Sequence, residues 1–199
     1  MPAADVIQRH YAESLECIAC ALAVSDGPKL VDVGSGGGYP GLVAAAVLPA
    51  LDVHLVEPLQ KRATLLREMA VELGLTNVTV YPQRAEDAGR GPLRDSSPLV
   101  IARAVASLAE LLEYTAPMCA PGGAIVLPKG SGYASEIEAA QFAAAELGCS
   151  FEPTVPMREA INPLAVLVVL RKSTLTNKKY PRRAGLPGKR PLQIPQSKA

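Results

Sequence analysis

The 199-residue chain contains no tryptophan and only two phenylalanines, and aromatic residues make up 4% of it. A core without large rings must be built from Ala, Val, Leu and Ile, which suits parallel strands covered by alanine-rich helices. Long hydrophobic runs are missing as well. The most apolar stretches, 42–51 and 165–170, are too short to span a bilayer, and Asp5, Arg9 and His10 stand where a signal peptide would be apolar. A cytoplasmic protein that does not enter membranes is therefore expected. Histidine is limited to His10 and His54, and cysteine to Cys17, Cys20, Cys119 and Cys149, all scattered among apolar residues. That usage fits reduced core thiols, not a disulfide framework. Cys17 and Cys20 form a C-x-x-C, but no second Cys/His pair at ligand spacing completes a zinc site, so no metal is expected. His54, inside an apolar strand, reads as structural, and His10 as a surface residue.

Acidic residues are missing from the C-terminal part. Beyond Glu159 there are nine bases and no acid, which leaves 11 bases against 19 acids in the body and hides a strong asymmetry under a net charge of +1. Rich in Pro and Gly and without hydrophobic period after Leu175, this tail reads as an extended arm for a polyanion or as a solvated terminus.

What is present is one α/β core, for which 49% hydrophobic content over this length suffices. Three regions are expected: an N-terminal helical segment (1–28), a doubly wound α/β domain (29–173) and the basic tail (174–199). Within them, helices are predicted over 6–24, 41–48, 61–73, 108–119 and 135–147, and strands over 29–33, 52–56, 77–81, 99–102 and 124–127. Two consecutive strands, 150–155 and 165–171, predict an antiparallel hairpin that closes a mostly parallel seven-stranded sheet. A monomer is expected.

The most informative stretch is Val31-Asp32-Val33-Gly34-Ser35-Gly36-Gly37-Gly38-Tyr39-Pro40-Gly41, a strand that runs into a glycine-rich turn. Such a turn brings backbone close to a nucleoside. Asp32 separates the candidate ligands. A carboxylate there repels a pyrophosphate but favours the ammonium and sulfonium of S-adenosylmethionine. Gly36 to Gly41 also matches G-x-G-x-x-G, the dinucleotide fingerprint. Its first glycine sits late relative to the strand, however, and Pro40 removes a donor from any phosphate cradle. Glu57, about 20 residues past the turn, is placed to accept ribose hydroxyls, with Pro58 and Leu59 beside it. Ala85 and Glu86, after the third strand, lie where an adenine ring would be met.

The fourth strand ends in Ile101-Ala102-Arg103-Ala104-Val105. No D/N/S-P-P-Y/F/W turn for an exocyclic amine is present, and no Pro-Cys nucleophile for a pyrimidine carbon. What remains is Arg103, a cation suited to a cofactor carboxylate, a substrate phosphate or guanine O6. Methyl transfer to guanine N7 is compatible with so sparse a site, because N7 presents a lone pair and carries no proton.

Taken together these residues resemble the bacterial ribosomal small-subunit methyltransferase G family, also called glucose-inhibited division protein B. His10-x-x-x-Ser14-Leu15 is similar to its H-x-x-D-S-L/I, with Glu13 in place of aspartate, and 31–41 to its D-V/I-G-S/T-G-x-G-x-P-G. Lys61-Arg62, Arg103-Ala104-Val105-Ala106 and Lys129-Gly130 also match, and residues 179–192 resemble a Y-P-R-x-x-G-x-P-x-K-x-P-L ending. The resemblance implies a Rossmann-like class I fold and N7 methylation of one guanine in 16S ribosomal RNA, with S-adenosylmethionine as donor and the small ribosomal subunit or its RNA as partner. Gly34, Tyr39, Glu57 to Leu59, Ala85, Glu86 and Arg103 would hold the cofactor, joined on the residue reading by Asp32 and Gly36, with Arg103 also the catalytic candidate. Lys129, Lys178, Lys179, Arg182, Arg183, Lys189 and Arg190 are the candidate RNA contacts. Family members usually carry a longer N-terminal helical region than precedes His10 here. Two alternatives are an RNA-binding protein without catalysis and a small-molecule methyltransferase.

Overall fold

The computed structural model describes residues 7–103 and 106–194. Ala104, Val105 and Lys198 lie outside the described residues. A π-helical turn, Ile7–Ala12, runs into α1, Glu13–Val24. The chain then alternates through β1 (Lys29–Val33), α2 (Gly41–Val47), β2 (Asp52–Val56), α3 (Gln60–Glu72), β3 (Val78–Tyr81), α4 (Ala85–Ala88), β4 (Ser97–Ile101) and α5 (Leu108–Thr115). A 3-10 turn at Ala116–Met118 leads to β5 (Cys119–Lys129), followed by α6 (Tyr133–Glu146), β6 (Cys149–Phe151), β7 (Val155–Pro156), β8 (Val166–Lys172) and α7 (Leu186–Lys189).

One sheet in the order β3-β2-β1-β4-β5-β8-β6 organises the molecule, with β7 also paired to β8. The first five strands are mutually parallel, and β8 enters antiparallel between β5 and the edge. The sheet has eight strands, one more than expected. The extra one is β7, a continuation of β6 along β8: Phe151 opposes Leu170, and Val155 opposes Leu167 after a one-residue shift in register. The predicted strand 150–155 is thus one edge with an irregularity in it.

Period-two alternation divides each strand between the two faces. Leu30, Leu55, Leu99, Ile101 and Val126 meet α1, α2 and α3 on one side, while Val31, Val33, Val56, Val100 and Ile125 meet α5 and α6 on the other. Cys17, Cys20, Cys119 and Cys149 are all buried as free thiols, and burial raises the Cys17 thiol to about 12. His54 is structural as expected, held between Asp52 (2.8 Å) and the Tyr81 hydroxyl (3.1 Å). Among the described residues, no helix is long and apolar enough to cross a membrane and no metal-binding cluster occurs.

The tail departs from the expected extended arm. Residues 176–192 fold back as a strap over α4 and α5, burying Tyr180, Pro181, Pro187 and Leu192. Its base is fixed by the buried Lys172, whose Nζ donates to Leu147 O (2.5 Å) and Thr176 Oγ1 (2.8 Å).

Candidate nucleoside and methyl-transfer site

The parallel strands β1 to β4 deliver their following loops to one end of the sheet, where doubly wound folds bind ligands. Asp32 lies on the same face of β1 as Leu30, so its side chain points beneath the start of α2. Its Oδ2 accepts from Gly41 N (3.0 Å), which ties the far end of the glycine loop back to the strand that begins it. Only glycine fits there: a Cβ on Gly41 would stand 2.2 Å from Leu55 Cδ2 and 2.7 Å from Asp32 Oδ2. The other oxygen, Asp32 Oδ1, is buried and has no hydrogen-bond partner among the described residues. Burial raises the Asp32 carboxyl to about 7, against the opposing pull of the Gly41 N–H, the Ser35 side chain and Arg103.

Glu57, also buried, shapes the opposite wall. Its Oε2 accepts from Gly36 N and its Oε1 from Leu59 N, both at 2.9 Å. Each oxygen keeps a lone pair beyond these bonds. Pro58 and Leu59 lie exposed beside it. Gly34, at φ +76°, has open space where a side chain would stand, as a backbone cradle requires.

Arg103 extends from the end of β4 into an aromatic cluster. Its Cζ lies 5.8 Å from the centre of the Tyr39 ring, Nη2 donates to His10 Nδ1 (2.6 Å), and Nη1 is 3.7 Å from Glu13. The His10 ring stacks on Tyr39 at 4.8 Å, and Tyr11 meets Tyr39 edge-on at 5.4 Å. His10 is therefore a wall of the site and not a bystander on the surface. Its four-residue spacing from Ser14, whose hydroxyl bonds the His10 carbonyl, was the available signal. An open apolar cavity of about 270 Å³ lies behind the glycine loop between Tyr39, Leu42, Met69 and Leu73, and none of the acids lines it.

Four expected contacts are placed differently. Glu86 is buried, and its Oε1 accepts from Gly185 N (2.7 Å) of the strap. The Glu86 side chain is thus turned to the tail, and half-buried Ala85 is left at the open side of this loop. Lys129 is also buried: its Nζ donates to Ala106 O (2.5 Å) and Glu136 (2.7 Å), and Glu136 accepts in turn from Leu108 N (3.0 Å). These bonds tie Ala106 and Leu108 to β5 and α6 and occupy the ammonium within the chain. Arg182 is spent on Glu113, a carboxylate with no exposure, through both Nε and Nη2 (2.6–3.0 Å). Lys179 pairs with Glu146 (2.8 Å) and lies over the Tyr180 ring. Lys178, Arg183, Lys189 and Arg190 remain exposed, with no ion pair among the described residues.

This donor set fits S-adenosylmethionine. One buried carboxylate oxygen has no partner among the described residues, Glu57 at the end of β2 has spare acceptor capacity, and Gly34 and Gly36 leave open space between them.

Known proteins share this fold. The M. jannaschii TYW2 protein in complex with AdoMet superposes with a TM-score of 0.63 at 20% identity, covering 82% of this chain and 74% of that one. A 16S rRNA (adenine(1408)-N(1))-methyltransferase from Catenulisporales acidiphilia gives 0.61 at 16% identity, covering 83% and 92%. Both establish the Rossmann-like methyltransferase fold. In sequence, the chain is 42% identical to the ribosomal RNA small subunit methyltransferase G of Roseiflexus castenholzii over 94% of its own length and 80% of the relative's. It is 38% identical to that of Dehalococcoides mccartyi over the same shares. The profile described as rRNA small subunit methyltransferase G matches residues 2–159, and the chain belongs to that family.

Proposed function

We propose that this chain transfers the methyl group of S-adenosylmethionine to N7 of a guanine in 16S ribosomal RNA, acting as a cytoplasmic monomer. The observation that carries the reading is the orphaned Asp32 Oδ1 beneath the glycine turn, a buried acceptor that a cationic ligand completes. S-adenosylmethionine supplies the activated methyl group on its sulfonium. Asp32 holds the ammonium, Gly34 and Gly36 lay backbone against the ligand, and Glu57 takes the ribose hydroxyls on the lone pairs left by Gly36 and Leu59. Pro58 and Leu59 edge the ribose, and Ala85 meets the adenine.

Arg103 is the fixed cation at the mouth, held in place by His10, Glu13 and the Tyr39 ring. Because N7 bears no proton, the site needs no base, only a guanine in line with the methyl group, and Arg103 supplies an orienting donor for it. His10 Nδ1 is taken up by Arg103, which suits a positioning role. Exposed Lys178, Arg183, Lys189 and Arg190 attract the RNA backbone.

Transfer of labelled methyl from the cofactor to small subunits and to free rRNA, followed by mapping of N7-methylguanine, tests this reading. One guanine is expected to be labelled, and Arg103→Ala is expected to slow transfer about 10²-fold. An unchanged N7 pattern in rRNA from cells lacking the gene would overturn it.

A further inference from the structure

Glu86 does not face the site as expected, and the strap lies behind it. The two meet. α4 is a single turn, Ala85–Ala88, and a helix this short does not hold itself in water. Ala88 anchors it in the core, and the strap adds tethers to the helix and to the segment that follows it. Gly185 N donates to Glu86 Oε1 at 2.7 Å, Arg90 Nη2 donates to Pro181 O at 2.8 Å, and Arg94 donates to Tyr180 O at 2.9 Å and Thr176 O at 2.6 Å. The strap's own shape is set by Arg182. Its backbone N–H, Nε and Nη2 engage the buried Glu113, while Nη2 also donates to Arg190 O at 2.7 Å, so one guanidinium gathers both ends of the 182–190 loop and sets Gly185 at its apex.

We propose that the strap is a positioning element for the cofactor: Arg182 and Glu113 shape the 182–190 loop, and through the Gly185–Glu86 bond that loop fixes Ala85 against the adenine. Glu86 and Arg182 are thus positioning residues, separated in sequence from the glycine turn and acting on the nucleoside from behind. The inference rests on the cofactor assignment above. It adds that cofactor affinity depends on the C-terminal strap, a segment whose hydrogen bonds among the described residues reach the cofactor-binding candidates only at Glu86.

Calorimetric titration of the full chain with S-adenosylmethionine tests it. Glu86→Ala is expected to raise Kd about tenfold, a common size for coupling between sites. Glu86→Gln keeps an oxygen for the Gly185 N–H and is expected to restore binding. Glu113→Gln/Arg182→Gln removes the buried charges together and so avoids an uncompensated carboxylate. It is expected to raise Kd to a similar extent, to raise the KM for cofactor and to leave kcat at saturating cofactor unchanged. Combined with Glu86→Ala it adds little, because both act through one contact. Amide exchange at 85–88 rises in each weakened variant. Wild-type affinity in the Gln/Gln variant overturns the proposal, as does a Glu86→Gln variant as weak as Glu86→Ala, which would put the Glu86 charge on the ligand itself. If the wild-type chain binds no S-adenosylmethionine, the cofactor assignment itself fails.

Discussion

Asp32 and Glu113 are both fully buried carboxylates, yet their surroundings are opposite. Glu113 accepts from Arg182 through its backbone N–H, Nε and Nη2, so its charge is matched within the chain. Asp32 has one bond from Gly41 N and one oxygen without a hydrogen-bond partner among the described residues. Burying a carboxylate without compensation is costly, so the matched Glu113 reads as a structural anion, while the open Asp32 carries the proposed ligand role. The same contrast separates the buried Lys129, whose bonds are internal, from exposed Lys178 on the strap.

The largest expected effect breaks the matched side. Arg182→Ala strands Glu113 and should cost about 3–5 kcal/mol in denaturant unfolding, since removal of one partner leaves a buried charge alone. A loss below about 1 kcal/mol would show that the pair does not hold the strap. Next comes the link that holds the open acid. Gly41→Ala forces a methyl against Leu55 and the Asp32 carboxylate, and should cost about 1–3 kcal/mol by overpacking, read as a fall in thermal midpoint.

The open side itself is sharpened by pH. With its carboxyl raised to about 7, Asp32 is largely protonated below neutrality, and a cationic ligand must displace that proton. Affinity for S-adenosylmethionine should therefore fall about fivefold from pH 7 to pH 6, with proton release visible as a buffer dependence of the binding heat. Asp32→Asn should bind weakly without this slope. For folding, the sign is that of a raised pKa: the stabilising proton is in place below the ordinary aspartate value, and its contribution is lost as pH rises through about 7. The Asn variant should thus gain on wild type between pH 4 and pH 8. The smallest effect on stability belongs to the strap's outer face. Neutralising Lys178, Arg183, Lys189 and Arg190 should change unfolding by no more than about 0.5 kcal/mol. It should nevertheless lower the slope of log K against log salt for RNA by about 3.

Local signals were legible and long-range ones were not. β1 and β2 appear at the predicted residues because their apolar runs are bounded by charge and glycine. Pro121-Gly122-Gly123 reads as a helix stop, but it lies inside β5, where a register shift opposite Ser97 and Leu99 absorbs the irregularity. The glycine turn and Glu57 were visible from their spacing. The partners of Glu86, Lys129 and Arg182 were not: Glu113 and Arg182 lie 69 residues apart, and a charge that will be buried looks, in sequence, like one that will be solvated. The strap has no period because it is neither helix nor strand over most of its length; isolated Tyr180, Pro187 and Leu192 dock singly.

The placement of β8 between β5 and β6 also imposes an order on synthesis. β5 is complete at Lys129, but the strand that covers its open edge ends only at Lys172. At about 5–20 residues per second, the ribosome leaves that interval open for roughly 2–9 s. Throughout it, the nascent protein carries an apolar strand with unpaired backbone, the sort of edge that recruits a neighbouring chain or a chaperone. An enzyme that modifies ribosomal RNA is thus, for a few seconds, most vulnerable while still attached to a ribosome.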